Sequence, residues 1–173
     1  GHYEVVLMKS RDLLNWEKVS SIVAENTNIE DGSIYYNQEN EKFYFLYEEE
    51  IFDKHESFIK ISQSDDSGKT WNNGLTLLPA RADQEPADMF LHNGKWYLLY
   101  SSDIEKPGTS YYGAEGYVSV FSGPEFTPER TNIDIKMDSG IVLYDVKKFN
   151  KKLHFLAVKL IGTDKHLIEY TFD

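Results

Sequence analysis

Short runs with a two-residue side-chain period, each closed by a cluster of turn formers, follow one another along the chain. Lys42–Glu48 (KFYFLYE), Phe58–Gln63 and Lys95–Ser101 are examples. That period places every second side chain on one face of a β-strand, and the abundance of Tyr, Phe, Val and Ile suits strands. Taken in order, Tyr3–Lys9 and Trp16–Val23 predict the last two strands of one unit. Ser33–Asn37, Lys42–Glu48, Glu56–Gln63 and Leu75–Leu78 predict a complete four-stranded unit. Ala87–Leu91, Lys95–Ser101, Gly116–Phe121 and Asn132–Lys136 predict another. Gly140–Val146, Lys152–Lys159 and Leu167–Phe172 begin one more. Long helical periodicity is missing, and Arg11–Trp16 has room for one helical turn at most.

The units repeat. Two strands joined by a polar hairpin recur at Asp31–Tyr47, Glu85–Tyr100 and Asp138–Leu156. Aligned on Lys42, Lys95 and Lys152, the spacing is about 53 and then 57 residues. Four strands per unit at that period is the pattern of a β-propeller. A turn motif agrees with it. Ser64-Asp65-Asp66-Ser67-Gly68-Lys69-Thr70-Trp71 has the Ser-x-Asp-x-Gly-x-Thr-Trp form of an Asp-box, a turn between the outer strands of a blade. Its Ser and Asp can accept backbone N–H bonds, and its Gly permits positive φ. Ser10-Arg11-Asp12-Leu13-Leu14-Asn15-Trp16 is a shorter copy without the glycine. Both tryptophans are expected to be structural.

The expected fold is therefore all-β: a partial β-propeller of about three blades of four-stranded antiparallel sheets. It forms a single domain over residues 3–173 with incomplete blades at both ends. Gly1-His2 has the look of a pair left by removal of a tag. About three blades form a wedge with two open flanks, and exposed blade faces are an aggregation hazard that a symmetric homodimer would cover.

A net charge of −11 argues against nucleic acid, since no basic stripe offsets phosphate repulsion. No apolar run approaches membrane-spanning length. The chain has no cysteine, and its five histidines lack ligand spacing, so neither a metal nor a cofactor is expected. Ser67-Gly68-Lys69-Thr70 lacks the earlier glycine of a phosphate loop, its place being taken by Gln63. Glu48-Glu49-Glu50 reads as a solvated loop where the second strand of a blade ends.

In a propeller the first residues of each innermost strand face the central funnel. Here those positions are acidic: Glu30 and Asp31, Glu85 and Asp88, Asp138. The same residues suit turns, which is the plainer reading of Asp31-Gly32 and Asp138-Ser139-Gly140. Glu85-Pro86-Ala87-Asp88-Met89-Phe90, with Gly94-Lys95-Trp96-Tyr97-Leu98-Leu99-Tyr100-Ser101, resembles the Glu-Cys-Pro-Asp segment and following strand of five-bladed propeller glycoside hydrolases. Both the invertase/levanase type and the arabinanase/β-xylosidase type are similar. The resemblance implies that Glu85 is the general acid/base. Ile29-Glu30-Asp31-Gly32 stands at the place of the family's Arg-Asp-Pro, which implies transition-state stabilisation by Asp31. Phe126-Thr127-Pro128-Glu129 and Asp138-Ser139-Gly140 resemble the next blade transition.

Glycoside cleavage needs one protonated and one ionised carboxyl. In these hydrolases the ionised nucleophile or base lies on the first blade's innermost strand, and this chain reads as beginning after it. The expectation is thus a glycoside-hydrolase-like propeller fragment that binds carbohydrate through Glu85, Asp31, Asp88 and Asp138, with little or no hydrolysis. Tyr111 and Tyr112, beside Gly113 in a long loop, suit stacking on a sugar ring. Trp96, Tyr97 and Tyr100 are read as blade packing. The alternative is a non-enzymatic scaffold that self-associates through its flanks. A sialidase relationship ranks last, because Arg11, Arg81 and Arg130 are the only arginines.

Overall fold

The computed structural model describes residues 3–24, 26–51, 54–108, 115–123, 125–128, 135–139, 141–150 and 152–172, and of 128, 135–139, 143, 144, 148, 160 and 172 the backbone alone. These residues form strands and turns with no helix among them. β1 (Val5–Lys9) and β2 (Glu17–Ile22) make a hairpin. β3 (Thr27–Asn37), β4 (Lys42–Ile51), β5 (Glu56–Ser64) and β6 (Leu75–Leu78) make a second sheet. The third sheet holds β7 (Gln84–His92), β8 (Lys95–Ser102) and β9 (Glu115–Ser122), with β10 (Thr127–Pro128) and β11 (Ile135–Ser139) both on the outer edge of β9. β12 (Ile141–Phe149), β13 (Lys152–Ile161) and β14 (Asp164–Phe172) make the fourth. All pairings are antiparallel, and strands follow chain order in each sheet: a partial all-β propeller. β7 packs against β3 on one side and β12 on the other, and the three are the inner strands of successive blades.

The predicted strands recur with shifted ends: β7 begins at Gln84 rather than Ala87, β11 runs on to Ser139, and β10 is an added short strand. β3 begins at Thr27, well before Ser33, because a bulge between Glu30 and Ser33 carries the strand through Asp31-Gly32. Asp31 sits there at φ 44°. Matching irregularities interrupt β7 between Pro86 and Asp88, and β12 between Leu143 and Asp145. A bulge re-aims the side chains around it, and bulges recur next to active sites. All three inner strands thus carry one in their first part.

Apolar residues between the sheets hold the wedge together. Leu46, Ile59 and Ile61 meet Met89, Trp96 and Leu98 between the second and third sheets, with Phe126 stacked on Trp96. Leu99, Val118, Ile141, Phe155 and Ala157 fill the next interface. Trp96 also packs edge-on to Tyr35, and Tyr100 stacks on Tyr117, so these aromatics are core.

The Ser64–Trp71 turn is built by side chains acting as backbone substitutes. Asp66 Oδ1 accepts from the N–H groups of Lys69 and Thr70, and Ser64 Oγ from that of Gly68, whose φ is 79°. Trp71 reaches across to the first hairpin: it packs on Phe45 and donates its Nε1–H to Ser20 Oγ at 2.9 Å, while that hydroxyl donates to Gly68 O. In the shorter copy Asp12 Oδ1 accepts from Leu14 and Asn15 N–H, and Leu13 takes the left-handed conformation at φ 62°. Trp16 is 53% exposed and donates its Nε1–H back to Leu13 O within the turn.

Candidate functional site

The second strand of the first complete blade corrects one reading at once. Glu48-Glu49-Glu50 is no solvated loop: β4 continues to Ile51, paired with β3 on one side and β5 on the other. Glu48 is only 4% exposed. Glu49 ion-pairs with Lys60 and accepts from Thr27 Oγ1, while Glu50 accepts from Asn28 Nδ2.

Glu48 lies opposite Glu30 in the β3–β4 register. On the next blade Gln84-Glu85 begins β7 opposite Ser102-Ser101. A buried clamp fixes this junction. Gln84 N–H donates to Ser57 Oγ at 2.8 Å, that hydroxyl donates to Gln84 O, and Gln84 Nε2 donates to Ser57 O and Pro79 O. Ser57 also hydrogen-bonds Glu48. Beside it, Asp103 N–H donates to Asp83 O and Asp83 N–H donates to the Asp103 carboxylate, which closes the segment before β7 onto the end of β8.

The result is one electrostatic cluster drawn from two blades: Glu30, Asp31 and Glu48 from the first, Asp83, Glu85 and Asp103 from the second. Burial, followed by the charges of Asp83, Asp31, Glu30 and Asp103, pushes Glu85 up to about 7. Glu48 is pushed up to about 9 by burial and then by Asp83 and Asp31, against a lowering bond from Ser57. Burial followed by Glu50 and Asp31 raises Glu30. Asp31 is open to solvent on its lip of the cluster, yet the surrounding protein strips enough water from its carboxyl to raise it too. At neutral pH Glu48 carries a proton and Glu85 is close to half protonated. Such a carboxyl can donate a proton to a leaving oxygen and hydrogen-bond a hydroxyl.

The Asp31 charge thus reaches Glu85 across the two blades. Asp88 faces elsewhere, toward Ser33 of β3 and Val146 and Lys147 of β12. Asp138 falls in β11, at the outer edge of the third sheet, and its side chain is outside the described set. Tyr111 and Tyr112 lie outside the described residues. Sequence reasoning missed Glu48 and Asp83. The signal for Glu48 was its place in an alternating strand, two residues beyond the buried Leu46. Among the described residues no group of three His, Asp or Glu side chains has the geometry to hold a metal ion.

No protein-family model and no curated protein matches this sequence. Solved structures do. A glycoside hydrolase of subfamily GH43_12 from a capybara gut metagenome superposes with a TM-score of 0.72 at 18% identity, over 96% of this chain and 34% of its own. The endo-arabinase of Bacteroides thetaiotaomicron gives 0.70 at 15% identity, over 98% of this chain and 66% of its own. An exo-1,5-α-L-arabinanase from a bovine ruminal metagenomic library gives 0.67 at 15% identity, over 97% and 65%. The chain thus spans between about a third and two thirds of the length of these structures. Its fold is that of the propeller glycoside hydrolases, seen over part of their length.

Proposed function

We propose that this chain binds carbohydrate at the carboxyl cluster where β3 meets β7, with Glu85 as the proton-bearing group and Asp31 as its acidic neighbour. The observation that carries this reading is the electrostatic coupling of Glu85 to Asp31 across two successive inner strands. The likeness to arabinanases makes an arabinoside the first sugar to try. Hydrolysis is a separate matter. Cleavage needs an ionised carboxylate on the far side of the scissile bond from the acid, whereas Glu30, Asp31, Glu48 and Glu85 are all pushed toward their protonated forms. Binding with little or no turnover of aryl arabinofuranosides, xylosides or fructosides is the expected behaviour of one copy. The Ser64–Trp71 hydrogen bonds support the Asp-box reading, and the acidic surface suits neither nucleic acid nor an anionic membrane.

Calorimetric titration with arabino-, xylo- and fructo-oligosaccharides tests the reading. Binding weakened roughly tenfold by Glu85→Gln, the loss of one hydrogen bond, is the expected result. No heat and no melting shift with any of the three would reject it.

A second reading, a scaffold that self-associates through its flanks, is favoured by Val6 and Met8 on one end and Phe149, Leu156 and Leu167 on the other, all exposed. A homodimer burying more than roughly 1,000 Å² would cover them. A monomer at micromolar concentration in sedimentation equilibrium rejects this reading.

A further inference from the structure

We propose that Asp88 is a positioning residue that locks three successive inner strands together, and that its Ser33 bond holds Asp31 against Glu85. Asp88 is buried, its side chain 7% exposed, and its two carboxyl oxygens serve different blades. Oδ1 accepts from Ser33 Oγ of β3 at 2.8 Å and from the N–H of Met89 on its own strand at 2.8 Å. Oδ2 accepts from Lys147 Nζ at 3.1 Å and from the N–H of Val146 at 3.3 Å, both on β12. Lys147 Nζ also donates to Asp145 at 2.6 Å, so that Asp145 and Asp88 bracket one ammonium. Burial, then the neighbouring Asp145 carboxyl, raises Asp88 above the ordinary aspartate value, while Ser33, Met89 and Lys147 act against that rise.

The placement gives this lock its consequence. Ser33 follows the β3 bulge that carries Asp31, and Asp88 follows the β7 irregularity just after Glu85. A bulge leaves its extra residue unpaired: Asp31 has no partner across the ladder, whereas Glu85 is paired with Ser101. The Ser33–Asp88 bond ties the two strands immediately beyond both interruptions. It therefore holds the unpaired Asp31 toward the strand that fixes Glu85. The proposal does not depend on sugar chemistry, because it is read out by ionisation alone.

The test uses the full chain with carbon-13-labelled glutamate, aspartate and lysine, titrated by NMR. Ser33→Ala and Ser33→Val remove the hydroxyl in two sizes, so that poor folding of one leaves the other to decide. Both are expected to lower the Glu85 midpoint from about 7 toward the ordinary 4.5, as Asp31 moves off and water enters. Ser33→Thr restores the hydroxyl and should restore the midpoint. Asp88→Asn keeps the Oδ1 acceptor but presents an NH2 group to Lys147 and Val146. It should leave Glu85 in place, lower the Lys147 midpoint and speed amide exchange along β12. An unmoved Glu85 midpoint in a folded hydroxyl-free variant overturns the proposal. So does an Asp88→Asn variant that moves Glu85 while leaving Lys147 and β12 unchanged.

Discussion

Glu48 makes the protein less stable as the pH rises through neutrality, and Glu48→Gln isolates that loss. In the unfolded chain a glutamate titrates near 4.5, whereas native Glu48 holds its proton to about 9. Below the unfolded value both states are protonated and the burial of a neutral acid costs the fold nothing extra. Above it the unfolded state ionises and the native state does not. Stability then falls with pH by up to about 1.4 kcal/mol per unit until the native group itself ionises. Over the whole interval the ceiling is about 6 kcal/mol, which relaxation and water entry reduce. Glu85 adds to the slope only up to about 7. The opposite limb is well separated. Asp66, held at about 2 by the N–H and hydroxyl of Thr70, contributes stability that is lost only as the pH falls below the ordinary 3.8. Urea unfolding followed by tryptophan fluorescence, at fixed ionic strength between about pH 5 and 8, measures the effect. The stability of Glu48→Gln relative to wild type should climb by about 1 kcal/mol per pH unit. Self-repulsion from the acidic surface is common to both proteins and cancels in the difference. Parallel curves would refute the assignment of Glu48 as a buried, protonated acid.

Three further outcomes follow from the packing. Leu46 is fully buried between the second and third sheets, so Leu46→Ala should cost about 2–5 kcal/mol in urea unfolding. Gly68→Ala meets both a positive φ and the Leu7 side chain, and a loss of about 1–3 kcal/mol is expected; an unchanged melting temperature would contradict the turn geometry. Trp71→Phe keeps the ring against Phe45 but loses the Ser20 bond, so hydrogen exchange should quicken in β1 and β2 and stay as it is in β7–β9.

Repeat spacing and alternation made the sheets legible, because burial on one face imposes a period that survives in the residues themselves. β6 falls on Leu75–Leu78 as read. The influence of Asp31 on Glu85 follows from the same repeat: equivalent positions in successive repeats share a place around an axis. What escaped was set by irregularity. Glu48 looked like a solvated charge because three consecutive glutamates are far more often exposed than buried. Its burial depends on the adjoining blade, whose Gln84–Ser57 clamp closes over that end of β4. Asp88 looked like a funnel residue because an unbroken strand would turn it as the repeat requires. The interruption after Pro86 sends it to Ser33 and Lys147 instead. No local residue pattern announces that bulge.

The interruptions of β3, β7 and β12 lie inside a ladder that continues on both sides, with buried residues such as Ile29, Gln84 and Ile141 ahead of them. Only the extra residues within an interruption have no partner across the ladder. On β3 one of these is Asp31, which is also exposed. A substitution at Asp31 therefore changes the mouth of its blade without breaking a strand pair on either side. New ligand preferences can arise there with the layers around it kept in register.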